Sequence, residues 1–198
     1  MTRVSALTPS TVDAAAEVLA LAFADDPVVA GLVPLGRRRP RTLRRWFTAL
    51  VRTTRAVDVA RDADGRVVGV ALWDEHPRPP SVPWWLRELP RLLRALGPRQ
   101  LVRTVRAVAD LESHRPTTPH WYLADIAVRP AAQGRGVASA LLAHRLRELD
   151  AAGATAYLES TSPAAARLYV RHGFRAVGAV GHDGAVAMLR AGTDTLSA

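Results

Sequence analysis

Apolar residues recur every three or four positions in several segments of the chain, which predicts amphipathic helices. The first helix begins after Thr8-Pro9, where a capping residue precedes proline, and it ends near Pro27, because the residue before a proline avoids the α region. Further helices are predicted over 40–55, over 84–113 as two basic amphipathic helices separated by Gly97-Pro98, over 134–151 and over 163–172.

Short apolar, β-branched runs between these helices predict strands. They span 57–60, 67–73, 121–128, 154–159, 174–180 and 185–189, with hairpin turns at Asp64-Gly65 and Asp183-Gly184. This order of elements is typical of an α/β domain with a mixed sheet. At 198 residues and 48% hydrophobic content, the chain is expected to form one domain over 1–198, with 84–113 as a helical insertion and 191–198 as a tail.

The formal net charge of +9 points to an anionic partner, and all 27 basic residues are arginine. No helix-turn-helix pattern, aromatic RNA-binding signature or zinc-ligand spacing accompanies this charge, so we expect no nucleic-acid partner and no metal. The absence of cysteine excludes disulfides and thiolate chemistry. The bias toward arginine and alanine is typical of a high-GC, actinobacterial genome.

No apolar run reaches transmembrane length, and the N-terminus lacks a charged start followed by an apolar stretch. We therefore expect a cytoplasmic protein with no membrane partner.

The most informative segment follows the predicted strand at 121–128 and opens the next helix; it is Gln133-Gly134-Arg135-Gly136-Val137-Ala138. Its two glycines allow the backbone to approach a ligand closely, and free amides at a helix start favour an anion such as a pyrophosphate. A plain helix start explains the same pattern. The segment is neither a Walker A loop, because the chain has no lysine, nor a G-x-G-x-x-G motif.

Together with two neighbouring blocks, this segment resembles the GCN5-related N-acetyltransferase (GNAT) family; the blocks are Ile126-Ala127-Val128-Arg129-Pro130 and Ala166-Arg167-Leu168-Tyr169 with His172-Gly173-Phe174. The resemblance implies an α/β GNAT fold: a mixed, mostly antiparallel sheet splayed between its fourth and fifth strands, with helices on both faces and a helical insertion before the fourth strand. It also implies that acetyl-CoA is the co-substrate, bound between the strands at 121–128 and 154–159.

The resemblance assigns the cofactor contacts residue by residue. The backbone of Ile126, Ala127 and Val128 is expected to pair with the pantetheine arm. The amides of Gly134, Arg135, Gly136, Val137 and Ala138, after the signature residue Gln133, are expected to hold the pyrophosphate. Arg135 either adds charge to a phosphate or is a solvated surface residue. Ser162 takes the place of an asparagine that contacts CoA in many relatives, which leaves that contact open.

Tyr169 is the main catalytic candidate, because a tyrosine at this position of the family protonates the departing thiolate; the alternative is a core tyrosine under the cofactor. Glu159, at the end of a strand, is the first candidate for the base that deprotonates the amine or for its anchor. Asp125 is the second candidate, with a loop hydrogen bond as its alternative role.

Acceptor-site candidates lie outside these blocks. Asp25 and Asp26 follow the first helix and either attract a cationic amine or serve as cap and turn residues. Aromatic side chains that line an acceptor site or pack in the core are Trp84, Trp85, Trp121 and Tyr122.

Flanking segments resemble the puromycin N-acetyltransferase group of the family; they include Ala22-Phe23-Ala24-Asp25, His114-Arg115-Pro116 and Tyr157-Leu158-Glu159-Ser160. The resemblance therefore implies acetylation of a primary amine on a small molecule, such as an antibiotic, an aminonucleoside or a biosynthetic intermediate, by direct transfer in a ternary complex, with a role in antibiotic resistance or biosynthesis. We expect a monomer or a homodimer.

Three alternatives remain open: a protein or peptide N-terminal acetyltransferase, a non-catalytic acyl-CoA-binding module, and a binder of anionic surfaces. The last would use the apolar side of 84–106. A helical flap packed on the sheet or in a dimer interface explains the same amphipathic stretch.

Overall fold

The computed structural model describes residues 2–33, 36–77, 84–113, 115–180 and 185–192, except the side chains of 84–88, 95 and 107–113. Its strands are β1 (Arg3–Ala6), β2 (Ala56–Arg61), β3 (Val67–His76), β4 (His120–Val128), β5 (Ala156–Ser160), β6 (Arg175–Val180) and β7 (Ala185–Arg190). Its helices are α1 (Val12–Ala22), α2 (Pro27–Leu32), α3 (Arg39–Thr53), α4 (Trp84–Leu96), α5 (Pro98–Ser113), α6 (Val137–Ala151) and α7 (Pro163–Arg171).

The strands form one sheet in the order β1-β2-β3-β4-β5-β7-β6. All neighbours are antiparallel except β4 and β5, which run parallel. These two strands pair only at Trp121 with Ala156 and at Tyr122 with Tyr157. The rest of β4 and of β5 is unpaired on the sides that face each other, so the predicted splayed, mixed sheet is confirmed.

A β-bulge in β4 lies at the point where the strand leaves β5. Leu72 of β3 is opposite Asp125, whereas Trp73 is opposite Leu123, so Ala124 is an extra residue. Such a bulge increases the local twist and bends the strand. It also shifts the alternation of side chains by one, and Leu123 and Ile126 therefore both pack on the same face of the sheet, against α6.

Helices cover both faces of the sheet and form two cores. On one face, α1, α2 and α3 pack on β2 and β3 around the buried side chains of Leu19, Leu43, Phe47, Val59 and Leu72. On the other, α6 and α7 pack around a second set, which includes Trp73, Leu141, Leu142, Tyr169 and Phe174. A smaller third cluster contains two residues of the site described below, Tyr122 and Tyr157.

The helical insertion packs on the first core rather than standing free. Leu92 of α4 and Leu101 of α5 are buried in it. The side chains of Gln100 and Thr104 donate hydrogen bonds to the carbonyl of Leu32 at 3.1 and 2.9 Å. The insertion is therefore a helical flap fixed to α2 and α3.

Two elements were absent from the sequence-based prediction, β1 and α2. Four residues are too few to show a period, and β1 is a strand because it pairs along β2, with Ser5 opposite Val59. The short helix α2 begins at Pro27, and Asp26 caps it by accepting a hydrogen bond from the Val29 amide at 2.9 Å. Pro27 therefore opens a helix as well as ending one. The predicted turn at Asp183-Gly184 and residues 193–198 of the tail lie outside the described residues.

A buried ion pair joins the sheet to α6. Asp58 of β2 is fully buried, and Arg145 donates to both of its carboxylate oxygens, at 2.9 and 2.6 Å. Burial raises the pKa of Asp58, and the Arg145 guanidinium partly offsets this by favouring the charged form. Losing a hydrogen bond between charged groups costs about 2 kcal/mol, so we expect Asp58→Asn to lower the free energy of unfolding by that amount.

Urea unfolding of the variant and the wild type measures this difference. Asp64→Asn, at an exposed position of the β2–β3 turn, is the matched control and should leave the free energy of unfolding unchanged. Equal effects of the two substitutions would show that the ion pair contributes no stability.

Candidate active site

The splay between β4 and β5 leaves backbone groups available inside the fold. From Leu123 to Val128, β4 is paired with β3 on one side, and from Leu158 to Ser160, β5 is paired with β7. Their facing sides carry amides and carbonyls that no strand satisfies. Backbone polar groups require partners, so this gap suits an extended ligand with its own amides.

The turn between β4 and α6 carries the predicted glycine pair. Gly134 and Gly136 have φ angles of 74° and 76°, and open space lies where a Cβ would be. Gly136 is the N-cap of α6, without a side-chain cap. In the described part of the chain, the amides of residues 134–139 donate to no backbone carbonyl. Together with the helix dipole, these amides form a site that suits a phosphate group.

Arginines border this glycine turn. The exposed Arg135 lines a groove of about 1150 Å³ that also reaches Arg61, Arg66 and Arg129. Arg129 donates to Glu17 at 3.1 Å and is therefore partly neutralised. The positive charge beside the turn adds to its preference for an anion.

The φ angle of Gly136 gives a direct test of the turn. An alanine in this left-handed conformation costs about 1–2 kcal/mol, and Gly136→Ala should therefore displace the amides and weaken acetyl-CoA binding about tenfold. Isothermal titration calorimetry with acetyl-CoA measures the change.

Gly97→Ala is the matched control, because Gly97 has a φ of 77° and open space at the Cβ position, but lies between α4 and α5. It should lose similar stability and keep its acetyl-CoA affinity. An equal loss of affinity in the two variants would contradict a specific role for the turn.

Tyr169 of α7 interacts electrostatically with Asp125 of β4. Tyr169, on α7, is 6% exposed and packs edge-on against Phe174, with ring centroids 6.0 Å apart. Burial raises the pKa of Tyr169 to about 12, and the charge of Asp125 contributes to the shift. The structure therefore brings together two of the three predicted catalytic residues.

Asp125 has the most strongly altered carboxyl group among the candidates. Burial raises the pKa of Asp125 to about 7, and the carboxylates of Asp26 and Asp74 raise it further in the same direction. A carboxyl group that titrates near neutral pH can accept a proton and release it again. Asp26 is thus both the cap of α2 and part of the electrostatics of the site, whereas Asp25 is exposed.

Glu159, the first-choice base, is already engaged by other side chains. The hydroxyls of Tyr122 and Tyr157 each donate to it at 3.4 Å, and the Arg115 Nε lies 3.9 Å from its Oε1. The Arg115 guanidinium also stacks on the Tyr122 ring, 3.7 Å from its centroid. Burial raises the pKa of both tyrosines, and the charge of Glu159 adds to the shift.

Arg115, Asp74 and Tyr157 are site residues that the sequence analysis did not single out. Arg115 and Tyr157 lie in segments that resemble the family, and this resemblance was the signal that could have identified them. Asp74 stands near the end of a strand without any motif around it.

Two of the remaining predicted residues, Ser162 and Gln133, make hydrogen bonds to the backbone. Ser162 caps α7, its hydroxyl accepting from the Ala165 amide at 3.2 Å, and it keeps its own proton for another acceptor. The Gln133 side chain donates to the carbonyl of Val128 at 3.4 Å and so ties the turn to β4. The side chains of Trp84 and Trp85, like His114, lie outside the described residues.

Within the described ranges, no group of three or more histidine, aspartate or glutamate side chains is arranged to hold a metal ion. In the same ranges, no helix is long and apolar enough to cross a membrane.

Comparison with known proteins places this geometry in context. Residues 22–174 match the model of the acetyltransferase (GNAT) family. A crystal structure of "histone acetyltransferase HPA2 and related acetyltransferase" from Corynebacterium glutamicum is 32% identical, with 97% of each chain covered and a TM-score of 0.76.

Two more distant structures share the fold. The ribosomal-protein-S18-alanine N-acetyltransferase from Escherichia coli is 20% identical, with 96% of this chain and 94% of that chain covered and a TM-score of 0.52. A polyamine N-acetyltransferase from Drosophila melanogaster is 16% identical, with 96% and 100% covered and a TM-score of 0.55. These neighbours act on acceptors of different classes.

Proposed function

Because the chain belongs to the acetyltransferase (GNAT) family, whose members are acyltransferases that use acetyl-CoA, we propose that it acetylates a primary amine of a small molecule by direct transfer in a ternary complex. The observation that carries the proposal is the pair formed by Asp125 and Tyr169 at the splay, where one group is poised to accept a proton and the other to donate one.

The residues present fit acetyl-CoA. The unpaired edge of β4 at 126–128 suits the amides of the pantetheine arm, and the glycine turn with its free amides suits the pyrophosphate. Arg135 and the hydroxyl proton of Ser162 are available for further polar contacts. When bound, acetyl-CoA supplies an activated acetyl thioester; the chain's own residues then have to position the amine and move protons.

We assign Asp125 as the group that takes the proton from the acceptor amine. Asp125 is partly buried, and its raised pKa makes the carboxylate a competent proton acceptor near neutral pH. Glu159 is already engaged, since the hydroxyls of Tyr122 and Tyr157 donate to it and Arg115 lies beside it. We therefore assign Glu159, with Tyr122 and Tyr157, to the wall of the acceptor pocket.

Tyr169 is assigned as the proton donor to the thiolate sulfur. The charge of Asp125 raises the pKa of Tyr169, so that a proton gained by Asp125 removes this contribution and makes the phenol a better donor. Proton uptake from the amine and proton delivery to the sulfur thereby support one another.

A small cationic acceptor suits the charges around this pair. Asp26 and Asp74 act on Asp125 electrostatically and make the pocket attractive to a cation. The flap formed by α4 and α5 packs over α2 and α3, and the loop after it delivers Arg115 to the splay, which favours a covered pocket over an open peptide groove. We place the acceptor among antibiotics, aminonucleosides and biosynthetic amines, in line with the puromycin N-acetyltransferase-like flanks.

A thiol-release assay with acetyl-CoA tests the proposal. A panel of aminonucleosides, aminoglycosides and polyamines should contain at least one acceptor that releases CoA thiol at a rate well above the rate without amine. Mass spectrometry of the product should show the addition of one acetyl group. Turnover of peptide N-termini alone would favour the protein acetyltransferase alternative, and tight acetyl-CoA binding without any release would favour a non-catalytic module.

A further inference from the structure

Exposed arginines are numerous on α3, α4 and α5, of which α4 packs against both of the others. We call this set the arginine surface; its exposed members are Arg41, Arg44, Arg45, Arg52, Arg91, Arg94, Arg99, Arg103 and Arg106. The sequence has no aspartate or glutamate over 27–57 or over 89–106. These helices pack on one another around the first core. The charge is therefore concentrated on neighbouring helices; their acids, Glu88, Asp110 and Glu112, lie outside these two segments.

Exposed aliphatic side chains lie among these arginines. Leu93 of α4 is 39% exposed, and Val102 and Val105 of α5 are 52% and 58% exposed. Val102 and Val105 are three positions apart and so are neighbours on the surface of the helix. The inward sides of the same helices are closed, because Leu92 and Leu101 are buried. The arginine surface thus combines cationic and apolar groups that make no contribution to the core.

We infer that the arginine surface docks the protein on an anionic lipid bilayer. The guanidinium groups would bind phosphate head groups, to which their planar donors are well matched. Leu93, Val102 and Val105 would enter the boundary between head groups and acyl chains. The protein lies on the bilayer in this arrangement and does not span it.

This surface overlaps only in part with the one that the amphipathic pattern of 84–106 first indicated. That pattern placed one apolar side, including Leu92, Leu93 and Leu96, toward the lipid. In the fold, Leu92 and Leu96 pack on the first core, whereas Leu93 is exposed. The exposed side of these helices is therefore the side available to a partner. The inference departs from the expectation that the protein has no membrane partner.

A nucleic acid is the competing anionic partner, and the arginine surface suits it less well. Binding to bases gains from aromatic stacking, but Trp46 and Phe47, the aromatic residues of α3, are buried. Among the described side chains of these helices, the exposed apolar ones are aliphatic, and an aliphatic side chain cannot stack on a base. Such groups gain little beside a phosphate backbone, whereas a bilayer buries them.

Vesicle sedimentation with the full chain tests the inference. Vesicles of phosphatidylcholine alone are compared with vesicles in which roughly 30% of the lipid is phosphatidylglycerol. The second composition gives the vesicle surface the negative charge that attracts arginine. Binding should require the anionic lipid and fall as salt rises, because the attraction between charges is screened.

Two variants separate the contributions. Arg99→Gln/Arg103→Gln/Arg106→Gln should lower the partition coefficient by about 10- to 100-fold, since each arginine near the surface contributes severalfold. Val102→Ser/Val105→Ser should lower it by about tenfold. The matched control is Arg147→Gln/Arg167→Gln/Arg175→Gln, which removes three exposed arginines from α6, α7 and β6 and should change binding less than about twofold.

Three results would overturn the inference: binding that does not depend on the anionic lipid, equal losses in the two triple variants, or tight binding of a nucleic-acid duplex or single strand by a protein that ignores the vesicles. Thermal unfolding of every variant establishes that the altered surface residues leave the fold intact.

Discussion

Tyr169→Phe is expected to lower kcat by about 100- to 10,000-fold, the range that general acid–base groups contribute. The substitution removes only the hydroxyl, and the ring keeps its contact with Phe174 and its buried position. Acetyl-CoA affinity should change little, because the loss concerns the proton that the departing sulfur receives. Steady-state kinetics by thiol release and calorimetry with acetyl-CoA separate the two quantities.

The pH dependence gives this prediction a second readout. With its pKa raised to about 12, the Tyr169 hydroxyl stays protonated throughout the neutral and mildly alkaline range, so wild-type kcat should show no alkaline loss from this group below pH 10 or so. A kcat for Tyr169→Phe within about threefold of wild type would show that the residue only packs beneath the cofactor.

Asp125→Asn is the second large effect, with an expected loss of about 100-fold or more in kcat/KM for the acceptor. The pKa of Asp125 is raised to about 7, so the carboxyl group is protonated below this pH and cannot accept a proton. Above it, the carboxylate is available. Wild-type kcat/KM should therefore rise with pH through a midpoint near 7, and the variant should lose this step.

The comparison uses one amine for both proteins, so that the titration of the amine itself contributes equally to the two profiles. Glu159→Gln is the informative companion, because it removes the charge held by Arg115 and the two tyrosines. We expect it to raise the acceptor KM and to keep the step near pH 7. If the rise of kcat/KM near pH 7 is lost in Glu159→Gln and persists in Asp125→Asn, the roles of the two carboxylates are reversed.

The proposed roles of Asp125 and Tyr169 give the bulge in β4 a functional significance. Without the extra residue at Ala124, the side chains after it would project to the opposite faces of the sheet. Asp125 would then leave the neighbourhood of Asp26 and Asp74. The same irregularity turns β4 away from β5 and opens the splay. One inserted residue therefore contributes both the binding gap and the position of the proposed base.

Local features of the site could be predicted from the sequence. The glycine turn was recognisable because φ angles near 75° favour glycine wherever they occur, and a helix that follows a strand presents its amides regardless of what surrounds it. Tyr169 was found by its place in a family-like block. The two flap helices were visible from their own periodicity and from the Gly97-Pro98 break.

Other features depended on contacts between residues distant in the chain. Arg115 reaches Tyr122 and Glu159 only because the flap is fixed to α2 and α3, and Asp74 reaches Asp125 only through the pairing of β3 with β4. The altered pKa of Asp125 likewise reflects burial and neighbouring carboxylates, neither of which a residue's own sequence neighbours specify.

The sequence by itself thus determined most of the helices and strands, the glycine turn, the family and the amount of positive charge, because periodicity, backbone preference and composition are properties of short segments or of the whole chain. Only the tertiary structure decided the two elements β1 and α2, which carboxyl group has a raised pKa and which residues of the basic helices are buried. Each of these depends on desolvation and on distances across the fold, and both are set when the helices and strands pack together.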